Sequence, residues 1–65
     1  MNKGSYIVRK GKEFVNSYNK ALGDDHALSY AKACAIHSKA DVYEKVDVCN
    51  EVKIFEYEEG KLKKV

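Results

Sequence analysis

Ser5-Tyr6-Ile7-Val8-Arg9 is a run of β-branched and aromatic residues and predicts a strand. Lys10-Gly11 follows as a two-residue hairpin turn, because glycine takes positive φ without a Cβ clash. Residues 12–22 then support two readings. With a period of two, Phe14, Asn16 and Tyr18 share one face and Val15 takes the other. With a period of about 3.6, Phe14, Val15, Tyr18, Ala21 and Leu22 fall in one arc of a helix that ends at Gly23. The nearby turn and the weak helix formers Asn16, Ser17 and Asn19 favour the strand.

Asp24 to Ala40 is the clearest helix. Asp24 is placed to cap it, and Asp25 sits near the positive end of the helix dipole. Ala27, Leu28, Tyr30, Ala31, Cys34 and Ala35 form one apolar face. Most are small, so the helix can lie close against a sheet. Lys39 falls in the last turn, where a cation is favoured. Ile36 breaks the pattern, because it lies opposite the centre of that face, beside Ser29, Lys32, Ala33 and Ala40.

Asp41 to Cys49 reads as a strand with Val42, Val46 and Val48 on one side and Tyr43, Lys45 and Asp47 on the other; Glu44 interrupts the valine side. Asn50-Glu51 marks a turn. Val52 to Glu58 is the next strand, with Val52 and Ile54 on one side and Phe55 and Tyr57 on the other. After Glu59-Gly60, the segment Lys61 to Val65 is a short final strand or a frayed end. The expected architecture is a single α+β domain over residues 1–65: an antiparallel sheet of four strands, or five with that last segment, and one helix on one face, in the order ββαββ.

One helix covers one sheet face. Whichever side of the last long strand meets the helix, either Phe55 and Tyr57 or Val52 and Ile54 are expected to point away, and Ile7 opposes Tyr6 and Val8 in the same manner. An apolar strip on the open face is therefore expected. Such a strip marks self-association or a protein partner. Tyr43, Phe55 and Tyr57 are its candidate aromatic anchors. Ile36, on a second helix face, and the acidic group Glu56, Glu58 and Glu59 complete the candidate protein-binding set.

Length sharpens this picture. A chain of 65 residues holds one small core. Its 45% hydrophobic and 34% charged residues are those of a globular domain and exclude disorder. The longest apolar run, Ala33-Cys34-Ala35-Ile36, has four residues, against roughly 20 for a membrane helix. The N-terminal residues lack the apolar stretch of a secretory signal, so a cytoplasmic location is expected. A deep pocket with its supporting shell fits poorly in so small a core, and the chain has no Gly-rich phosphate loop, nucleophile elbow or HExxH. A non-enzymatic protein with no cofactor and no metal is expected.

Cys34 and Cys49 are too few for a disulfide-stapled scaffold, match no zinc spacing, and read as two buried thiols, with a single bridge between them as the alternative. His37 is three residues beyond Cys34, but no fourth ligand or orienting acid is placed for a metal or a thiol nucleophile. The net charge of +2 is unevenly spread. Lys3, Arg9, Lys10, Lys12 and Lys20 face only Glu13 in the first third, whereas residues 41–60 carry seven acids against Lys45 and Lys53. Arg9, Lys10 and Lys12 beside Tyr6 and Phe14 are the ingredients of single-stranded nucleic-acid recognition, in which bases stack on rings and phosphates meet cations. The acidic hairpin opposes that alternative, and no RNP-like motif is present.

The order SYIVRKGKEFV, one alanine-rich helix, ADVYEKVDV and EVKIFEYEEGKLKKV resembles that of small phage-encoded proteins of the anti-CRISPR inhibitor type. The resemblance covers most of the chain through its layout and carries no diagnostic motif. It implies a protein that works by binding and blocking host machinery, and it assigns no residue a role.

Overall fold

The computed structural model describes residues 4–47 and 49–65. Strands β1 (Ser5–Lys10) and β2 (Glu13–Asn19) form a hairpin, and a single 3₁₀ turn (Lys20–Leu22) leads to the helix α1 (Asp24–Ser38). Strands β3 (Asp41–Lys45), β4 (Glu51–Glu58) and β5 (Lys61–Lys64) follow. They build one five-stranded, wholly antiparallel sheet in the order β2-β1-β3-β4-β5. The α+β class is as expected, and the order is ββαβββ, with Lys61–Lys64 a true strand.

Residues 13–19 take the strand reading, but Ala21 and Leu22 leave it through the 3₁₀ turn. The first hairpin turn is Gly11-Lys12 rather than Lys10-Gly11, since Lys10 pairs with Glu13 and Gly11 has φ +63°. Gly23 (φ +107°), not Asp24, stands at the N-cap, and Asp24 and Asp25 occupy the first turn of α1. The helix ends at Ser38. Lys39 adopts left-handed φ 57°, and its N–H and that of Ala40 return to the carbonyls of the last turn.

β3 ends at Lys45, four residues before its expected limit. The Asp47 carboxylate accepts the backbone N–H groups of Cys49 and Asn50 at 2.8 and 2.9 Å, and that side-chain turn competes with the ladder. Val48 lies outside the described residues. Asn50-Glu51 is correspondingly not the turn, because Glu51 already pairs with Lys45.

The core lies between α1 and the middle of the sheet. Val8 and Val42 face each other across β1 and β3, both fully buried, with Tyr6 beside them. Above them Ala27, Ala31 and Ala35, four residues apart on one stripe of α1, let the helix settle close to the strands. Ala40 closes one end.

Two bulges decide what else reaches this core. Val8 pairs with Asn16 but Arg9 with Phe14, so Val15 is an extra residue in β2. Val42 pairs with Phe55 but Tyr43 with Lys53, so Ile54 is an extra residue in β4. Both extra residues pack against the core, and Ile54 joins Phe55 there rather than opposing it. The expected apolar strip on the open face therefore does not form. Ile7, which does lie on that face, is only 5% exposed.

The two sheet edges differ. β5 is lined with Lys61, Lys63 and Lys64. On β2, the bond from Lys20 N–H to Gly4 C=O sets the ladder so that the Ser17 N–H points outward, and Asn16 Oδ1 accepts it at 2.8 Å. Among the described residues, no helix is long and apolar enough to cross a membrane.

Candidate protein-binding surface

Three surfaces could meet a partner: the open face of the sheet, the tip of the first hairpin, and the solvent side of α1. The open face is occupied by ion pairs. Arg9 on β1 reaches over β3 to Glu51 on β4 in a two-pronged contact, Nε to Oε1 at 2.9 Å and Nη2 to Oε2 at 3.0 Å. The paired guanidinium holds the Glu51 carboxyl below the usual carboxylate range, and the same hydrogen bonding raises Arg9. Lys53 lies 3.5 Å from both Asp41 and Glu56 and 5.8 Å from the centre of the Tyr43 ring; Asp41 is the main cause of its raised pKa. The middle of this face offers paired charges instead of free apolar area.

The candidate nucleic-acid platform is divided between the two faces. Tyr6 is buried beneath α1, with the Lys20 ammonium 4.9 Å from its ring centre and held there by Glu44. Arg9 is committed to Glu51 and lies 5.9 Å from the Phe14 ring centre. Lys10 and Lys12 stand exposed at the hairpin tip with Phe14. The expected set of Tyr6, Arg9, Lys10, Lys12 and Phe14 thus reduces to its last three members as accessible groups.

The expected protein-binding set is also scattered. Phe55 packs at the border of the core with the Lys32 ammonium 4.4 Å from its ring centre, and Tyr57, half-buried, donates its backbone N–H to Asp41 Oδ1 at 2.8 Å. Tyr43 is half-buried on the opposite face beneath Lys53. Glu56 bonds to Lys53, while Glu58 and Glu59 flank a shallow recess of about 330 Å³ at the β4–β5 turn, with Lys61, Leu62 and Lys63. These residues do not form one site. Ile36 alone lies where a partner could meet a broad uncharged area.

That area is the solvent side of α1. His26, Ser29, Ala33 and Ile36 succeed one another on α1 at spacings of three, four and three residues, flanked by Tyr30 and His37, while Leu22 belongs to the 3₁₀ turn that precedes the non-helical Gly23. Leu22 is 60% exposed, Tyr30 55% and Ile36 45%. No Asp, Glu, Lys or Arg interrupts this stripe, whereas a solvent-facing helix side is ordinarily charged. The residues expected beside Ile36 need correction, for Ala40 is buried and Lys32 bends down onto Phe55. Tyr30, expected inside, stands outside and stacks on Tyr18 at 6.0 Å between ring centres.

Tyr30 is the member that the pattern of apolar positions missed. The available signal was a sparse one: between Asp25 and Lys39 the outer arc carries a single formal charge, Lys32, at its border. Tyr18 is fixed by its neighbours, since hydrogen bonding to the Cys34 thiol, followed by burial, raises its hydroxyl above the ordinary phenol range. Cys34 is half-buried beside it, and Cys49 is exposed rather than buried; the two are free thiols. Among the described residues, no cluster of His, Cys, Asp and Glu is arranged to hold a metal ion. Comparison with protein-family models, with curated proteins and with solved structures finds no match to this chain.

Proposed function

We propose that this protein is a non-enzymatic binding module that docks onto another protein surface through the solvent side of α1. One observation carries the reading: the solvent side of α1 exposes the large side chains Tyr30 and Ile36 around Ser29 and Ala33 with no formal charge among them. Large exposed side chains in a continuous patch mark interaction surfaces, whereas single ones do not. The open face, by contrast, has its central charges already paired. Blocking a host complex, the role implied by the resemblance to phage inhibitors, is one form that such docking takes.

Affinity capture from a nuclease-treated lysate tests this reading, with wild type compared against Ile36→Lys and Tyr30→Lys. Both variants should retain the wild-type circular dichroism spectrum, since both side chains are already exposed, and both should lose the captured protein. Capture that persists at full strength in both variants removes the helix stripe from consideration. A captured set that vanishes with nuclease and falls steeply with salt would instead favour Lys10, Lys12 and Phe14 on nucleic acid.

A further inference from the structure

Independently of the α1 stripe, we propose that one end of this molecule binds single-stranded nucleic acid, with Lys10, Lys12 and Lys39 on the phosphates and a base stacked on Phe14. The fold brings these groups to one place. Arg9 pairs with Asp41, so the close of α1 at Lys39 comes to the end of the sheet that carries the Gly11-Lys12 turn. Lys10, Lys12 and Lys39 are exposed there, and among the described residues none of them is ion-paired. Glu13, across the ladder from Lys10, is the one carboxylate of the hairpin. Three cations against one anion attract an anionic chain.

The acids that the sequence sets against such a partner are largely spent within the fold. Residues 41–60 carry seven. Asp41 and Glu56 hold Lys53, Glu44 holds Lys20, and Glu51 holds Arg9. Asp47 binds its own turn at the opposite end of the sheet, beyond the pairing of Lys45 with Ser5. Glu58 and Glu59 remain, at the β4–β5 turn. In the order β2-β1-β3-β4-β5 that turn lies three strand spacings from the first hairpin, centre to centre, or about 14 Å. Physiological salt screens charges over about 8 Å. The lysines of β5 are a poorer site, because Lys61 and Lys63 stand opposite Glu58 and Glu56.

Phe14 selects a nucleic acid over an acidic protein. It lies outside the core cluster and is 54% exposed. The Arg9 guanidinium sits over its ring, 5.9 Å from the centre, and is itself gripped at two points by Glu51. The ring is thus backed by a fixed group before any ligand arrives, which lowers the cost of ordering it. Every base has a face to stack on such a ring, so binding is tolerant of sequence. Contacts are few, and the Kd is on the order of 100 μM at low salt.

Fluorescence anisotropy of a labelled oligothymidine of about ten nucleotides, titrated with the full chain to about 1 mM, tests this. Between about 25 and about 200 mM salt, log affinity against log salt should fall with a slope of about −1.4 to −2.1, from about −0.7 for each of two or three phosphates. Lys10→Gln, Lys12→Gln and Lys39→Gln should each reduce that slope by about 0.7. Phe14→Ala should weaken binding about tenfold at every salt concentration and leave the slope unchanged. Lys63→Gln should bind as wild type does. All of these positions are exposed, so each variant should keep the wild-type circular dichroism spectrum. Absence of binding at about 1 mM protein and about 25 mM salt overturns the proposal, as does binding that ignores the three lysine variants. Phe14→Ala binding as tightly as wild type overturns it too, and oligoglutamate that then competes equally makes an acidic protein segment the partner of this end.

Discussion

Truncating Val42 to alanine should remove a large part of the stability of this fold. Val42 and its partner Val8 are the largest fully buried side chains, and α1 meets the core through the fully buried Ala27, Ala31 and Ala35. The change deletes two buried carbon groups, worth about 0.8 kcal/mol each in transfer. A residual cavity of about 50 Å³ adds about 1.2 kcal/mol at roughly 24 cal/mol per Å³. The expected loss is therefore about 2–3 kcal/mol. A domain of 65 residues is stable by about 3–10 kcal/mol in all. Urea unfolding followed by circular dichroism should show the midpoint falling by about 2–3 M, taking a urea slope near 1 kcal/mol/M for a chain of this size. Val52→Ala is the comparison, because Val52 is exposed and its truncation should cost less than about 0.5 kcal/mol. Equal midpoints for the two variants would refute a core centred on the Val8–Val42 contact.

Two further changes probe the end of the helix and the open face of the sheet. Lys39→Gly relieves a left-handed backbone position, so it should raise the melting temperature by about 4–8 °C, corresponding to about 1 kcal/mol. A melting temperature that stays the same or falls would show that the left-handed position of Lys39 carries no strain. Glu51 has a folded pKa below its unfolded value, so its contribution to stability is present above the unfolded carboxylate pKa and is lost as pH falls through the folded one. Urea midpoints of wild type and Glu51→Gln should accordingly differ at neutral pH and converge in acid, and parallel profiles would show that the Arg9 contact contributes nothing.

The elements of this fold were largely legible because their signals are local. The alanine stripe of α1, the β-branched run of β1 and the glycine at the first turn each act within a few residues. What the open face would carry was not legible, because it depends on Val15 and Ile54. Each adds one residue to a strand and resets the side-chain alternation, and only pairing with the neighbouring strand reveals that. The burial of Ile7 was no more legible locally, since its lateral neighbours Ser17 and Tyr43 come from two other strands. Tyr30 was misplaced because an aromatic near the edge of a helical face can turn either way, and stacking on Tyr18 draws it outward. The early end of β3 had a visible cause in Asp47 three residues before Asn50, a pairing that favours a turn over continued strand.

The Asn16 amide that accepts the outward Ser17 N–H sets a limit on how large an assembly of this protein can grow. A sheet edge normally offers a template on which one chain after another can be added. Here one edge has its central donor already taken and a bulge beside it, and the other presents a row of lysines. Neither invites a foreign strand. Growth by adding strand to strand is therefore closed at both ends of the sheet, and a crowded solution of this chain finds no edge on which a filament can start.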